Sequence, residues 1–77
     1  MTDLPKLVIV EWTDAYAGAG WSDVFQSPTE VLTAGYLVAE ELDYVVVCAC
    51  YDPDTKQSNA CITIPRVCIT KLEPILV

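Results

Sequence analysis

The sequence predicts a mainly β fold, a small antiparallel barrel of five strands with one long loop after the first strand. Three observations lead to this prediction. Short runs rich in β-branched and aromatic residues recur along the chain, and turn-forming residues separate most of them. The 77 residues suffice for a single domain, residues 1–77. Closure into a barrel is how so small a sheet hides its edge strands.

The first strand is expected at Lys6–Trp12. Its sequence, KLVIVEW, is rich in β-branched residues and lies between Pro5 and the polar Thr13. Successive side chains of a strand point to opposite faces of the sheet. The two faces would therefore carry Val8, Val10 and Trp12 on one side, and Leu7, Ile9 and Glu11 on the other.

A long loop is expected between the first and second strands, at residues 13–30. This segment contains Gly18, Gly20 and Pro28 among small polar residues. Loops of this length in small domains usually carry function or some short structure of their own. The sequence SPTE at residues 27–30 predicts one helical turn where the loop ends.

The second and third strands follow in quick succession. We expect the second at Thr33–Glu41, where Gly35 indicates a bulge or a tight bend. A short acidic turn leads to the third strand, YVVVCACYD, at Tyr44–Asp52.

A hairpin turn at residues 53–59 is predicted from Pro53 and Asp54, which favour turn conformations. The fourth strand is expected at Ala60–Pro65. A single 3₁₀ turn then leads to a short last strand that begins at Ile69.

This order of strands, with a long first loop and a turn before the last strand, resembles the SH3-like small barrels, Sm-like proteins included. More narrowly, several stretches resemble a family of small proteins encoded by tailed bacteriophages and prophages. They are VEW, GW at Gly20–Trp21, AGYLVAEE, DYVVV, YDPDT, and ITIPR followed by IT. The resemblance implies a phage setting and no particular chemistry.

The charge balance excludes some classes of protein. Eleven acidic residues against four basic ones give a net charge of −7. The basic residues form no stripe, which disfavours binding to a nucleic acid polymer or to a membrane surface. The acidity fits solubility, steering of a basic partner, or mimicry of a nucleic acid. The first residues lack the pattern of a secretory signal, so a cytoplasmic location is expected, in the host cytosol if the protein is phage-encoded.

The apolar content predicts that the chain forms a homo-oligomer. Hydrophobic residues make up 53% of the sequence, which is more than a lone domain of this size can bury. The third strand is apolar on both faces, whereas a half-buried antiparallel strand alternates with polar residues. Val45, Val47, Ala49 and Tyr51 form one face, and Tyr44, Val46, Cys48 and Cys50 form the face that we expect at the oligomer interface.

The four cysteines leave three interpretations open. Cys48 and Cys50 share one face of the third strand, and Cys61 lies on the neighbouring strand. A four-thiolate metal site would also need Cys68, and its spacing differs from that of a zinc ribbon. A disulfide is uncommon in the cytosol. We therefore expect buried free cysteines that act as small apolar residues, with no metal and no cofactor.

The sequence predicts a protein that is not an enzyme. It contains no histidine, the commonest general base. Glu40, Glu41 and Asp43 cluster at a turn, where acids usually form a solvated edge. The segment at residues 52–59 lacks the glycine and the terminal glutamate of an EF-hand loop. GAGW at residues 18–21 is too short for a phosphate-binding loop.

Two groups of residues are candidates for binding a ligand or partner. The aromatic set comprises Trp12, Tyr16, Trp21 and Phe25, in and beside the long loop. Aromatic side chains are favoured at interfaces, although Trp12 and Trp21 equally fit a barrel end that they fill. Arg66 and Lys71 are the candidate partners for a phosphate group, with Lys56 as a third.

Three functions remain open from the sequence. The first is a non-enzymatic phage-type binding module, with counter-defence by sequestering a small nucleotide signal in an oligomer. The aromatic loop would then stack on the base, and the net charge of −7 counts against this ligand. The second is an acidic inhibitor or interaction module that docks on a basic host protein. The third is an accessory of virion assembly.

Overall fold

The computed structural model describes residues 4–14 and 29–75 and shows one antiparallel sheet of five strands. The prediction of a mainly β fold with five strands is therefore confirmed. The strands lie in the order β4-β3-β2-β1-β5, and a 3₁₀ turn at Arg66–Cys68 joins β4 to β5. They are β1 (Leu7–Asp14), β2 (Thr29–Glu40), β3 (Tyr44–Asp52), β4 (Gln57–Pro65) and β5 (Ile69–Pro74).

The core lies on one face of the sheet and follows the alternation read from β1. Val8, Val10 and Trp12 are buried, whereas Ile9 and Glu11 between them are exposed. Apolar side chains of the other strands complete this core. They are the buried Val45, Val47 and Ile64, with the half-buried Val31, Leu37, Cys68, Ile69 and Leu72 packed against them.

The strand β2 changes partner part-way along its length. Its first part pairs with β1 from Thr29 to Tyr36, and its last part pairs with β3 from Tyr36 to Glu40. A register shift between Leu37 and Ala39 adds a bulge, which increases the local twist. Gly35 lies where the change occurs, against the backbone of β3. The bulge or tight bend expected at Gly35 is therefore found as a bulge between Leu37 and Ala39, and Gly35 itself permits the close approach of the two strands.

Closure into a barrel is the part of the fold prediction that the structure does not show. The sheet stays open, because β4 pairs with β3 alone and β5 pairs with β1 alone among the described residues. The three-residue turn Arg66–Cys68 carries the chain from β4 directly to the opposite edge of the sheet. Both edge strands therefore keep one side free of ladder hydrogen bonds in the described part of the chain.

The predicted ends of the elements agree best with the structure where distinct turn residues mark them. The third strand begins at Tyr44 and ends at Asp52 as predicted, and the 3₁₀ turn precedes Ile69. β4 begins at Gln57, because the turn after β3 is shorter than expected. β2 begins at Thr29, so the helical turn predicted for residues 27–30 is wrong for Thr29 and Glu30. Most of the predicted loop lies outside the described residues.

The cysteine prediction is wrong for one pair. Cys48 and Cys61 face each other across β3 and β4 and form a disulfide, with their sulfurs 2.02 Å apart. Cys50 and Cys68 are free. The register of the hairpin places the two bonded residues directly opposite each other, which the spacing of cysteines in the sequence does not reveal. Within residues 4–14 and 29–75, no group of three or more Cys, Asp or Glu side chains is placed to hold a metal ion.

None of the elements described is a helix long and apolar enough to cross a membrane.

Candidate functional site

The most exposed large apolar side chains of the described structure lie at one end of the sheet. Leu42, in the turn between β2 and β3, is 92% exposed, and Val67, in the 3₁₀ turn, is 95% exposed. Tyr44 at the start of β3 is 40% exposed and pairs with Pro65 in the ladder. We call Leu42, Tyr44 and Val67 the turn patch. Apolar side chains grouped on a protein surface mark a candidate interaction site.

Backbone hydrogen bonds hold the two turns of the patch together. The backbone N–H of Arg66 donates to the carbonyl oxygen of Asp43, with an N···O distance of 2.8 Å. The N–H of Glu41 donates to the carbonyl of Tyr44, also at 2.8 Å, and so closes the β2–β3 turn. The residues between these bonds are consequently fixed in place before any partner arrives, which lowers the entropy lost on binding.

The Arg66 side chain adds a second connection between the turns. Its Nε donates to the carbonyl oxygen of Glu41 at 2.9 Å, and its guanidinium lies 3.5 Å from a carboxylate oxygen of Glu40. Both side chains of this ion pair are substantially exposed, so the pair itself adds little stability. The guanidinium nevertheless connects the end of β2 to the 3₁₀ turn, because it contacts Glu40 and Glu41 from Arg66.

The surroundings of the turn patch are acidic. Glu40, Glu41 and Asp43 are all exposed, as expected for acids at the tip of a hairpin. Arg66 offsets part of their charge. Apolar side chains with carboxylates beside them suit a partner that presents an apolar pocket with basic residues at its rim.

The structure describes only some of the predicted ligand-binding residues. Trp12 is 8% exposed and belongs to the core, where its indole Nε1 donates to Thr33 Oγ1 at 2.9 Å. It is therefore not available to stack on a ligand. Tyr16, Trp21 and Phe25 lie outside the described residues. The aromatic set remains a prediction for those three.

The two predicted phosphate partners are occupied by acids at separate places. Arg66 pairs with Glu40 at the end of the sheet, whereas Lys71 lies on β5 opposite Glu11. The ammonium of Lys71 is 3.1 Å from a carboxylate oxygen of Glu73. This hydrogen bond, with the charges of Glu73 and Glu11, raises the pKa of Lys71. Lys71 lines a surface cleft together with Glu11 and Glu73, and these two carboxylates disfavour a phosphate there.

The predicted oligomer face of β3 is only partly available. Tyr44 and Cys50 are exposed, and Val46 is half-buried. Cys48 is completely buried and bonded to Cys61, so it offers no surface to a second protomer. Cys48 therefore cannot contact a second protomer as predicted, because the disulfide and the adjoining strand cover it. Tyr44 stays a candidate contact within the turn patch.

The sequence interpretation missed Leu42 and Val67. A signal for Leu42 was present, since a leucine between Glu41 and Asp43 is an apolar residue at the tip of an acidic turn. Val67 has no such local signal. Its exposure is a property of the folded 3₁₀ turn, which has no buried residue.

No protein-family model matches the sequence, and the comparisons with curated proteins and with solved structures found no match.

Proposed function

We propose that this chain is a non-enzymatic interaction module that docks on a partner protein through the turn patch. The observation that carries the proposal is the exposure of Leu42 and Val67 on two turns that are hydrogen-bonded to each other. Rigid, centrally placed apolar side chains supply most of the affinity of protein interfaces. The partner would present an apolar pocket with lysine or arginine residues around it.

Charge supports a protein partner over a nucleotide. A small nucleotide needs cations for its phosphates, and Arg66 and Lys71 are both paired with carboxylates. The net charge of −7 repels a phosphate and accelerates association with a basic surface. Sequestration of a nucleotide signal therefore has less support than docking on a protein.

The strand order also supports placing the fold near the SH3-like architecture. A sheet ordered β4-β3-β2-β1-β5, with a 3₁₀ turn before the last strand, fits an open form of such a small barrel. With the phage resemblance read from the sequence, this gives a concrete setting. The chain would act as a phage-encoded acidic module that occupies a basic site on a host protein.

Selection of peptides from a random display library against the purified chain tests this function. Selected peptides should combine an aromatic or aliphatic residue with flanking lysine or arginine. Their affinity, measured by fluorescence anisotropy, should fall by roughly tenfold or more when Leu42 and Val67 are both replaced by alanine. Association should also slow as salt is added, because exposed charges are screened.

Leu32→Ala is the matched control. Leu32 is 70% exposed and lies on β2, outside the turn patch. This variant should bind the selected peptides as the wild type does. Equal losses in the control and in the double variant would contradict docking at the turn patch. A stoichiometric nucleotide in the native mass spectrum of the purified chain would instead support sequestration.

A further inference from the structure

The free edge of β4 differs from that of β5 in its charges. From Gln57 to Pro65, β4 contains no charged residue, whereas the shorter β5 contains Lys71, Glu73 and Pro74. Charged residues and prolines are the features by which edge strands avoid pairing with other chains. β5 therefore carries such protection and β4 lacks it over most of its length.

The backbone of β4 presents paired donors and acceptors on this edge. In an antiparallel ladder, alternate residues direct their N–H and C=O groups away from the neighbouring strand. Arg66 donates to Asp43, which makes the even-numbered residues of β4 the ones that bond to β3. The N–H and C=O groups of Cys61 and Thr63 consequently point to the free side. Pro65, which has no N–H, ends this stretch.

The core is also incomplete at the same edge. Ile62 pairs with the fully buried Val47, yet Ile62 itself is 36% exposed. The next residue on this face, Ile64, is completely buried. The side chain of Ile62 therefore lies beside the core on β4 and stays partly exposed to solvent.

We propose that β4 pairs with β4 of a second copy, in antiparallel orientation, with the two-fold axis at Ile62. Cys61 of one copy would then exchange two hydrogen bonds with the partner's Thr63, and the reverse pair would do the same. The two Ile62 side chains would meet across the axis and cover each other. The result is a continuous ten-stranded sheet made from two five-stranded ones.

The distribution of charge along the chain favours a second copy as the partner of β4. Two chains with a net charge of −7 repel each other over most of their surfaces. No acidic residue occurs between Gln57 and Leu72, so contact along β4 brings uncharged edges together. An antiparallel self-pairing also matches an uncharged, partly apolar edge with an identical one. This surface is separate from Leu42 and Val67, so the dimer does not depend on the proposed function.

Matched charge variants test the dimer. Ile62→Lys places two ammonium groups beside the axis, whereas Ile9→Lys makes the same change on β1, where Ile9 is 42% exposed. Sedimentation at micromolar concentrations should give a mass of about twice 8.5 kDa for the wild type and for Ile9→Lys. Ile62→Lys should sediment as a monomer at the same concentrations, because like charges directly opposite each other across two paired strands are destabilising. A monomeric wild type, a dimeric Ile62→Lys or a monomeric Ile9→Lys would overturn the proposal.

Hydrogen exchange on the wild-type chain gives a second test that needs no substitution. The amides of Cys61 and Thr63 should become protected as the protein concentration rises, because only the dimer supplies their acceptors. The amide of Leu72 is the control, since the register of β5 directs it to the opposite free edge. Its exchange should not depend on concentration. Equal behaviour of the three amides would overturn pairing at β4.

Discussion

A Cβ atom placed on Gly35 would lie 2.6 Å from the backbone oxygen of Cys48. The same atom would lie 3.0 Å from a methyl group of Val47, so the approach of β2 to β3 leaves no room for a side chain. We therefore expect Gly35→Ala to lower the free energy of unfolding by about 2–4 kcal/mol, since the backbone must shift to admit the methyl group. Urea unfolding followed by tryptophan fluorescence measures this loss.

The neighbouring Ala34 supplies the control for that substitution. Ala34 is exposed, so Ala34→Ser should change the free energy of unfolding by less than about 0.5 kcal/mol. If Gly35→Ala were as stable as the wild type, the close approach of the two strands would be wrong.

The buried indole of Trp12 predicts a second effect on stability. Its Nε1 donates to Thr33 Oγ1 at 2.9 Å across the β1–β2 ladder. Thr33→Val keeps the shape of the side chain and removes the acceptor, which leaves a donor without a partner. We expect a loss of about 1–3 kcal/mol. Thermal unfolding measures it, and Thr29→Val, at an exposed position of the same strand, should be nearly neutral.

The disulfide predicts a difference between the cysteines. Cys61→Ala removes the bond to Cys48, which closes a loop of 13 residues in separation. The expected loss is about 2–4 kcal/mol, because the unfolded chain regains the freedom that the bond removes. A reducing agent should lower the melting temperature of the wild type to about that of the Cys61→Ala variant. The melting temperature of the variant should not change.

Cys50→Ala distinguishes the disulfide from a general effect of thiols. Cys50 is free and exposed, so its replacement should alter stability little and should preserve the response to reductant. If the reductant left the melting temperature of the wild type unchanged, Cys48 and Cys61 would not be joined in solution.

The sequence predicted β3 well and β2 less well, for a physical reason. β3 is an unbroken apolar run between an acidic turn and Pro53, so local signals mark both of its ends. The start of β2 at Thr29 has no such signal. It depends on pairing with Asp14 of β1, a contact between residues far apart in the sequence.

The same distinction applies to the candidate site. The alternation of β1 correctly grouped Trp12 with Val8 and Val10, and the structure buries all three in the core, although the sequence had made Trp12 a candidate binding residue. The acidic residues around the β2–β3 turn were also correctly expected to be solvated. By contrast, the nearness of Leu42 and Val67 arises from the bond between Arg66 and Asp43. Only the folded chain brings those two turns together.

The turn between β3 and β4 predicts a dependence of stability on pH. The backbone N–H of Asp54 donates to a carboxylate oxygen of Asp52 at 2.9 Å. This bond, with the side chain of Thr55, lowers the pKa of Asp52 from its usual 3.8. A lowered pKa in the folded state means that the ionised carboxylate stabilises the turn. The stabilisation is complete above the pKa of the unfolded chain and disappears as the pH falls through the folded value.

Asp52→Asn tests this dependence, because the amide oxygen still accepts the hydrogen bond and no longer titrates. Between about pH 5 and pH 2, the wild type should lose more stability than the variant, whose curve lacks this one group. Chemical denaturation at several pH values gives both slopes. Titration of the carboxyl carbon by NMR should place the midpoint of Asp52 below 3.8. If stability fell equally with pH in the wild type and the variant, and the midpoint of Asp52 lay at or above 3.8, the ionised carboxylate would not stabilise the turn.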